Sequence, residues 1–145
     1  MDKIFIHVGM TKTGTSFLQT QIFPKIENVN FHHTKEMTMK ILPDKLNIIS
    51  HEHFSQGSYQ KSMQFEDRKI VAERLKKCFP NAEIIVCIRE IASWKKSMHG
   101  QYVASGGSLG YNQFYDKYFD ESYFNTDDYI KYLKKLFSKV HVFHY

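Results

Sequence analysis

The chain has 145 residues, 42% of them hydrophobic and 15% aromatic, with 20 Lys and Arg against 15 Asp and Glu. That length suits one domain around one core, and the apolar share excludes a disordered chain; the net charge of +5 suits an anionic ligand as readily as an ordinary soluble surface. Two cysteines, Cys78 and Cys87, are too few for a disulfide framework and form no CxxC pair, and no segment is long enough to span a membrane, so a cytoplasmic protein is expected.

KIFIHV (3–8) is β-branched and aromatic, ends in a glycine loop, and predicts a short buried strand. Thr15 to about Phe23 predicts a helix stopped by Pro24. The stretch through His32 and His33 is polar and predicts irregular structure, with both histidines in a loop. LNIIS (46–50) predicts a second strand, and DRKIVAERLKKCF (67–79) a helix with Ile70, Val71, Leu75 and Phe79 on one face. EIIVCIR (83–89) is almost continuously apolar, as a strand covered on both faces should be, and buries the Cys87 thiol. Residues 90 to about 104 predict a helix, SGGSLG (105–110) a loop, and Asp127 to about Phe137 a helix with Thr126 as its N-cap. Lys131, Lys134, Lys135 and Lys139 read as a solvated face, so no nucleic-acid partner is expected. KVHVFHY (139–145) predicts the last strand. Strands alternating with helices give an α/β domain with a central parallel sheet and helices on both faces, one domain over 1–145. The chain stops at the end of a strand, on the side where such folds bind ligands, which predicts a fragment or a naturally short version of a longer fold.

The loop after the first strand, GMTKTGTS (9–16), matches the glycines and final serine of a phosphate-binding G-x-x-x-x-G-K-[ST] loop. Its lysine stands at position 12, before the second glycine, and Thr15 fills the usual lysine slot. Turning amides, the start of the following helix, the hydroxyls of Thr13, Thr15 and Ser16 and the charge of Lys12 would suit an anion with several oxygens. The structural alternative is a strand-to-helix turn with a surface lysine.

KTGTSF (12–17) after an apolar strand resembles the 5′-phosphosulfate loop of the PAPS-dependent sulfotransferases, with Thr11 where that family usually has proline. IVCIREIASWKKSMHGQYV (85–103) matches the same family's 3′-phosphate motif, an Arg at a strand end and a Ser eight residues on, here Arg89 and Ser97. The resemblance covers residues 3 to about 104 well and is weaker beyond. It implies a three-layer α/β/α, P-loop NTPase-like fold and a transferase that moves a sulfuryl group from PAPS to a hydroxyl acceptor. PAPS would be the co-substrate and PAP the product, with no metal required. Lys12 would meet the charge on the leaving phosphate, residues 12 to 17 would hold the phosphosulfate end, and Arg89 and Ser97 the 3′-phosphate. Phe17 would stack on adenine or pack in the helix core, and Trp94 would pack in the core or flank the nucleotide.

The family places its general base just after the second strand. SHEHF (50–54) offers Glu52 and His51 there, with Glu52 placed ahead; strand alternation would turn His51 and His53 to one side and Glu52 to the other. A metal on His-Glu-His is disfavoured by its spacing. A P-loop small-molecule kinase is the rival enzyme, opposed by the missing lysine after Gly14; a non-catalytic nucleotide-binding relic is the other, because no Arg/Lys/Gly-rich closing segment precedes Tyr145. The resemblance implies a small-molecule or glycan acceptor, whose identity the sequence does not give. SGGSLGYNQFYDKYF (105–119) is either an acceptor-side lid, with Tyr102, Tyr111, Phe114 and Tyr115 as stacking surfaces for a carbohydrate, or a helix burying Phe114 and Tyr118, the reading placed ahead.

Overall fold

The computed structural model describes residues 3–33, 39–55 and 63–145. Five parallel strands form one sheet: β1 (Lys3–Val8), β2 (Val29–His33), β3 (Leu46–His51), β4 (Glu83–Ile88) and β5 (Val140–His144), in the order β2-β3-β1-β4-β5. The first strand lies in the middle, with β3 on one side and β4 on the other. The chain therefore winds outward in both directions from β1, and the crevice at the carboxyl ends of β1, β3 and β4 is where such a sheet offers a ligand site.

β1 alternates between two covered faces. Ile6 and Val8 join Ile84 and Val86 of β4 in the main core. That core also takes Ala72 and Leu75 from α2 (Phe65–Cys78), Trp94 and Met98 from α3 (Ile91–Ala104), Phe114 from α4 (Tyr111–Tyr118) and Leu133 from α5 (Thr126–Leu136). His7 points the other way, edge-on to Phe23 at 5.2 Å between centroids, and Phe23 in turn meets Phe31 of β2. Phe23 belongs to the segment that follows the glycine loop. This segment is helical as expected, but only its first turn, α1 (Thr15–Phe17), is α; a π turn follows over Leu18–Ile22 and a 3-10 turn carrying Pro24 over Phe23–Lys25.

Two expectations need correction. The stretch ending at His32 and His33 is the edge strand β2 rather than irregular chain. Its polar residues are satisfied laterally: Asn30 Nδ2 donates to Asn47 Oδ1 at 2.7 Å, and His32 Nε2 lies 3.0 Å from the Lys40 carbonyl. The N-cap of α5 is Asn125, whose side chain accepts from the Asp128 N–H at 3.1 Å; Thr126 is inside the helix and buried.

Arg68 and His7 are among the ionisable side chains that sit inside. Arg68 of α2 is fully buried, its guanidinium 4.3 Å from the Tyr123 ring centroid, 4.7 Å from Tyr129 and 5.4 Å from Trp94. It has no hydrogen-bond partner among the described residues, so cation–π attraction is what the protein offers it. His7 is also fully buried, with Nδ1 2.7 Å from Ser50 Oγ, and Gln19 Nε2 donates to that same oxygen at 2.9 Å.

Burial pushes the His7 imidazole from its ordinary 6.5 down to about 4. The unfolded chain then binds a proton that the folded chain refuses, so the stabilisation is complete above pH 6.5 and is lost as pH falls toward 4. Urea midpoints measured across that window should decline by the equivalent of roughly 3 kcal/mol in total. His7→Gln should remove that part of the decline. An identical pH profile in the two proteins would mean that the ring charges without penalty.

Candidate functional site

The glycine loop is shaped by its own carbonyls. The Met10 carbonyl accepts from Thr13 Oγ1 at 2.6 Å, from Thr15 Oγ1 at 3.1 Å and from the Thr13 N–H at 3.3 Å. Two of the three hydroxyls expected to face an anion therefore turn inward and hold the loop, leaving Ser16 exposed. Lys12 and Gly14 adopt left-handed backbone at φ 63° and 80°. A lysine there is held by its surroundings, since only glycine takes that region freely. The N–H groups of Gly14, Thr15 and Ser16 have no acceptor among the described residues, which leaves three backbone donors in the loop.

Four neighbours pin this loop. Gly9 N–H donates to the His51 carbonyl at 3.2 Å, and Ser55 Oγ donates to the Gly9 carbonyl at 3.0 Å. Arg89, at the end of β4, donates from Nη1 to the Lys12 carbonyl at 3.0 Å and from Nε to Ser93 Oγ at 2.9 Å. Its Nη2 takes no partner among the described residues and stays available, with the Tyr145 ring stacked over the guanidinium at 4.9 Å. Trp94, fully buried, donates from Nε1 to the Thr11 carbonyl at 2.7 Å. Trp94 is thus a core residue that reaches the loop from beneath, not a surface that flanks a ligand.

A cavity of about 440 Å³ opens over the loop. Lys12, Gly14, Thr15, Ser16, Phe17, Glu52, Arg89 and Ser97 all line it, together with Thr11, Gln101 and Tyr145. Phe17 is 60% exposed, so its ring faces this cavity and the solvent rather than the core. Thr13 is fully buried and does not line the cavity. His51 does not line it either. The strand ends at His51, and a 3-10 turn, Glu52–Phe54, begins at Glu52. His51 Nδ1 accepts the His53 N–H at 2.9 Å, and its ring lies among those of His33, His53 and Phe54. Sequence alternation could not choose between Glu52 and His51; the turn brings Glu52 alone of the two to the cavity.

A second cavity, of about 360 Å³, lies beside the first and is walled by Met98, Tyr102, Phe114 and Tyr118, with His53 and Ser105 at its rim. Thr11, Glu52 and Gln101 line both cavities, at the boundary, or throat, where the two adjoin. The segment 105–119 is the loop and helix expected. Phe114 is buried on α4, whereas Tyr115 is tied by its hydroxyl to the Lys95 carbonyl at 2.5 Å. Tyr111 packs on His99 and Tyr115 and lines neither cavity. Tyr102 and Phe114 are the two expected stacking rings that reach the second cavity; Tyr118, Met98 and Gln101 were not singled out for it from sequence. Gln101 had a legible signal, since it lies one helical turn after Ser97 on the same face of α3. Among the described residues no group of three or more His, Cys, Asp or Glu is placed to hold a metal ion, and no helix is long and apolar enough to cross a membrane.

The chain matches the family model of the sulfotransferase domain over residues 4–143. Among solved structures it resembles a sulfotransferase from Alicyclobacillus acidocaldarius, with a TM-score of 0.68 and 11% sequence identity, over 99% of this chain and 73% of that one. At that identity the likeness speaks for the fold. No curated protein matches the sequence.

The Trp94–Thr11 bond carries a prediction. Trp94→Phe keeps a ring in the core but strands the Thr11 carbonyl, and should lower unfolding free energy by about 1–3 kcal/mol. Chemical denaturation checks this; a loss under about 0.5 kcal/mol would show that the loop is held without the indole.

Proposed function

Because this chain belongs to the sulfotransferase family, we propose that it transfers a sulfuryl group from PAPS to a hydroxyl of a carbohydrate acceptor. The observation that carries the reading is the single cavity lined by Lys12, the loop residues, Glu52, Arg89 and Ser97, adjoining an aromatic chamber with which it shares Thr11, Glu52 and Gln101. PAPS, as substrate, supplies the activated sulfur–oxygen bond. The loop N–H groups of Gly14, Thr15 and Ser16 hold the oxygens of its phosphosulfate end. Arg89 offers Nη2, and Ser97 a hydroxyl eight residues further along, to the 3′-phosphate that distinguishes PAPS from ATP. Phe17 offers an exposed face for the base.

Two residues divide the proton and charge work. Glu52 takes the proton of the acceptor hydroxyl from its place in the throat, as that oxygen bonds to sulfur. Lys12 meets the negative charge left on the phosphate oxygen as its bond to sulfur breaks. The released product is PAP. Transfer of this kind is mostly positioning and charge stabilisation, which fixed donors and one lysine supply. The chamber walls of Tyr102, Phe114 and Tyr118 offer rings on which a sugar can stack, while the polar throat presents a hydroxyl to Glu52.

Calorimetric titration with PAP, ATP and AMP tests the nucleotide half. PAP should bind more tightly than either competitor, and Arg89→Ala should weaken PAP by about tenfold or more while leaving AMP nearly unchanged. Equal affinity for PAP and ATP would overturn the assignment.

The choice of base is tested separately, by transfer from PAPS to a panel of simple glycosides. Glu52→Gln should cut turnover by about 10²–10⁴-fold with PAP affinity kept, and His51→Gln should not. The reverse pattern would move the base to His51.

A further inference from the structure

This inference rests on the reading of the phosphate cavity as a PAPS site. Thr11 is one of the three residues in the throat, and its side chain is in an unusual state. It is 7% exposed, and its hydroxyl is shielded from solvent with no hydrogen-bond partner among the described residues. The other two loop threonines differ: the Thr13 and Thr15 hydroxyls both donate to the Met10 carbonyl. The loop thus satisfies the hydroxyls that hold its shape and leaves unsatisfied the one at the junction of the two cavities. A buried hydroxyl without a partner destabilises a fold, and a ligand or water oxygen within reach would satisfy it. The Thr11 backbone is held by the Trp94 indole, so the freedom left to the hydroxyl is rotation about χ1 between staggered positions.

We propose that Thr11 is the sulfuryl-binding residue of this protein, its hydroxyl donating to a non-bridging oxygen of the sulfuryl group held in the throat. The location matches the task. Lys12, the next residue, lines the phosphate side only, whereas Thr11 also lines the aromatic chamber that the sulfuryl must face to be transferred. Glu52 lines the same throat, so donor, base and incoming hydroxyl converge there. A hydrogen bond to an anionic oxygen is among the stronger kinds. PAP has no sulfuryl group and should not register this contact, whereas PAPS should.

Paired calorimetric titrations with PAPS and with PAP, on the intact chain and on Thr11→Val and Thr11→Ser, test the assignment. Thr11→Val keeps the shape and removes the donor. It should weaken PAPS by about tenfold while PAP stays within about twofold, and Thr11→Ser should restore PAPS affinity. The ligand-free Thr11→Val protein should be at least as heat-stable as the parent, because a buried unpaired hydroxyl has been removed. Equal weakening of both ligands, or of neither, would overturn the role of Thr11 while leaving the PAPS site standing. Failure of the unaltered protein to bind either ligand would overturn the site itself and this inference with it.

Discussion

No side chain fits at Gly9. A Cβ there would lie 2.6 Å from Thr15 Cγ2, closer than packed atoms approach, and a tight 3.2 Å from the His51 carbonyl oxygen. At this point the end of β1 meets the end of β3 backbone to backbone, and the Thr15 side chain at the start of the helical segment closes over it. The Gly9 N–H reaches the carbonyl of His51, and the Gly9 carbonyl receives Ser55, so the loop and the Glu52–Phe54 turn are bound to one residue. The distance between Lys12 and Glu52 therefore follows from a contact that only glycine permits. Gly14 repeats the constraint at the loop's far end, where φ is +80° and the Tyr145 ring lies 3.2 Å from where a Cβ would stand.

Much of this architecture was legible because hydrophobic physics wrote it plainly. β1, β3 and β4 are short apolar runs flanked by turn residues, and the parallel sheet buries them on both faces. β2 was missed because it obeys another rule. As an edge strand it is paired on one side, and its Asn30 and His32 are satisfied by hydrogen bonds to Asn47 and Lys40 rather than by packing. Composition says nothing of such partners. The same holds for α5, where Asn125 and Thr126 are both good cap residues and tertiary packing decides which one stays outside the helix.

The candidate site divides along similar lines. Lys12, Arg89 and Ser97 were singled out because their stretches resemble the motifs of a known family, and the fold brings all three to one cavity. The direction of a hydroxyl is settled by the nearest free carbonyl, and the Met10 carbonyl lies across the loop rather than in any pattern along it. Glu52 and His51 are adjacent in sequence, and the point where strand gives way to a 3-10 turn separates their roles. The second cavity needs α3 and α4 in register, a long-range fact. Arg68 shows the limit most clearly. An arginine is ordinarily exposed, yet Arg68 lies on the buried face with Ala72 and Leu75, and three aromatic rings from distant segments enclose it.

The chain has one tryptophan, Trp94. It is buried, stacked near Arg68 and Tyr123, and bonded through its indole N–H to the loop carbonyl of Thr11. The protein thus carries its own optical reporter at the root of the glycine loop. Emission excited selectively from indole comes from this ring alone, and a loop that shifts around an incoming anion must alter the hydrogen bond that sets the colour of that emission. Occupancy can be followed without a label, in the same cuvette in which turnover is timed.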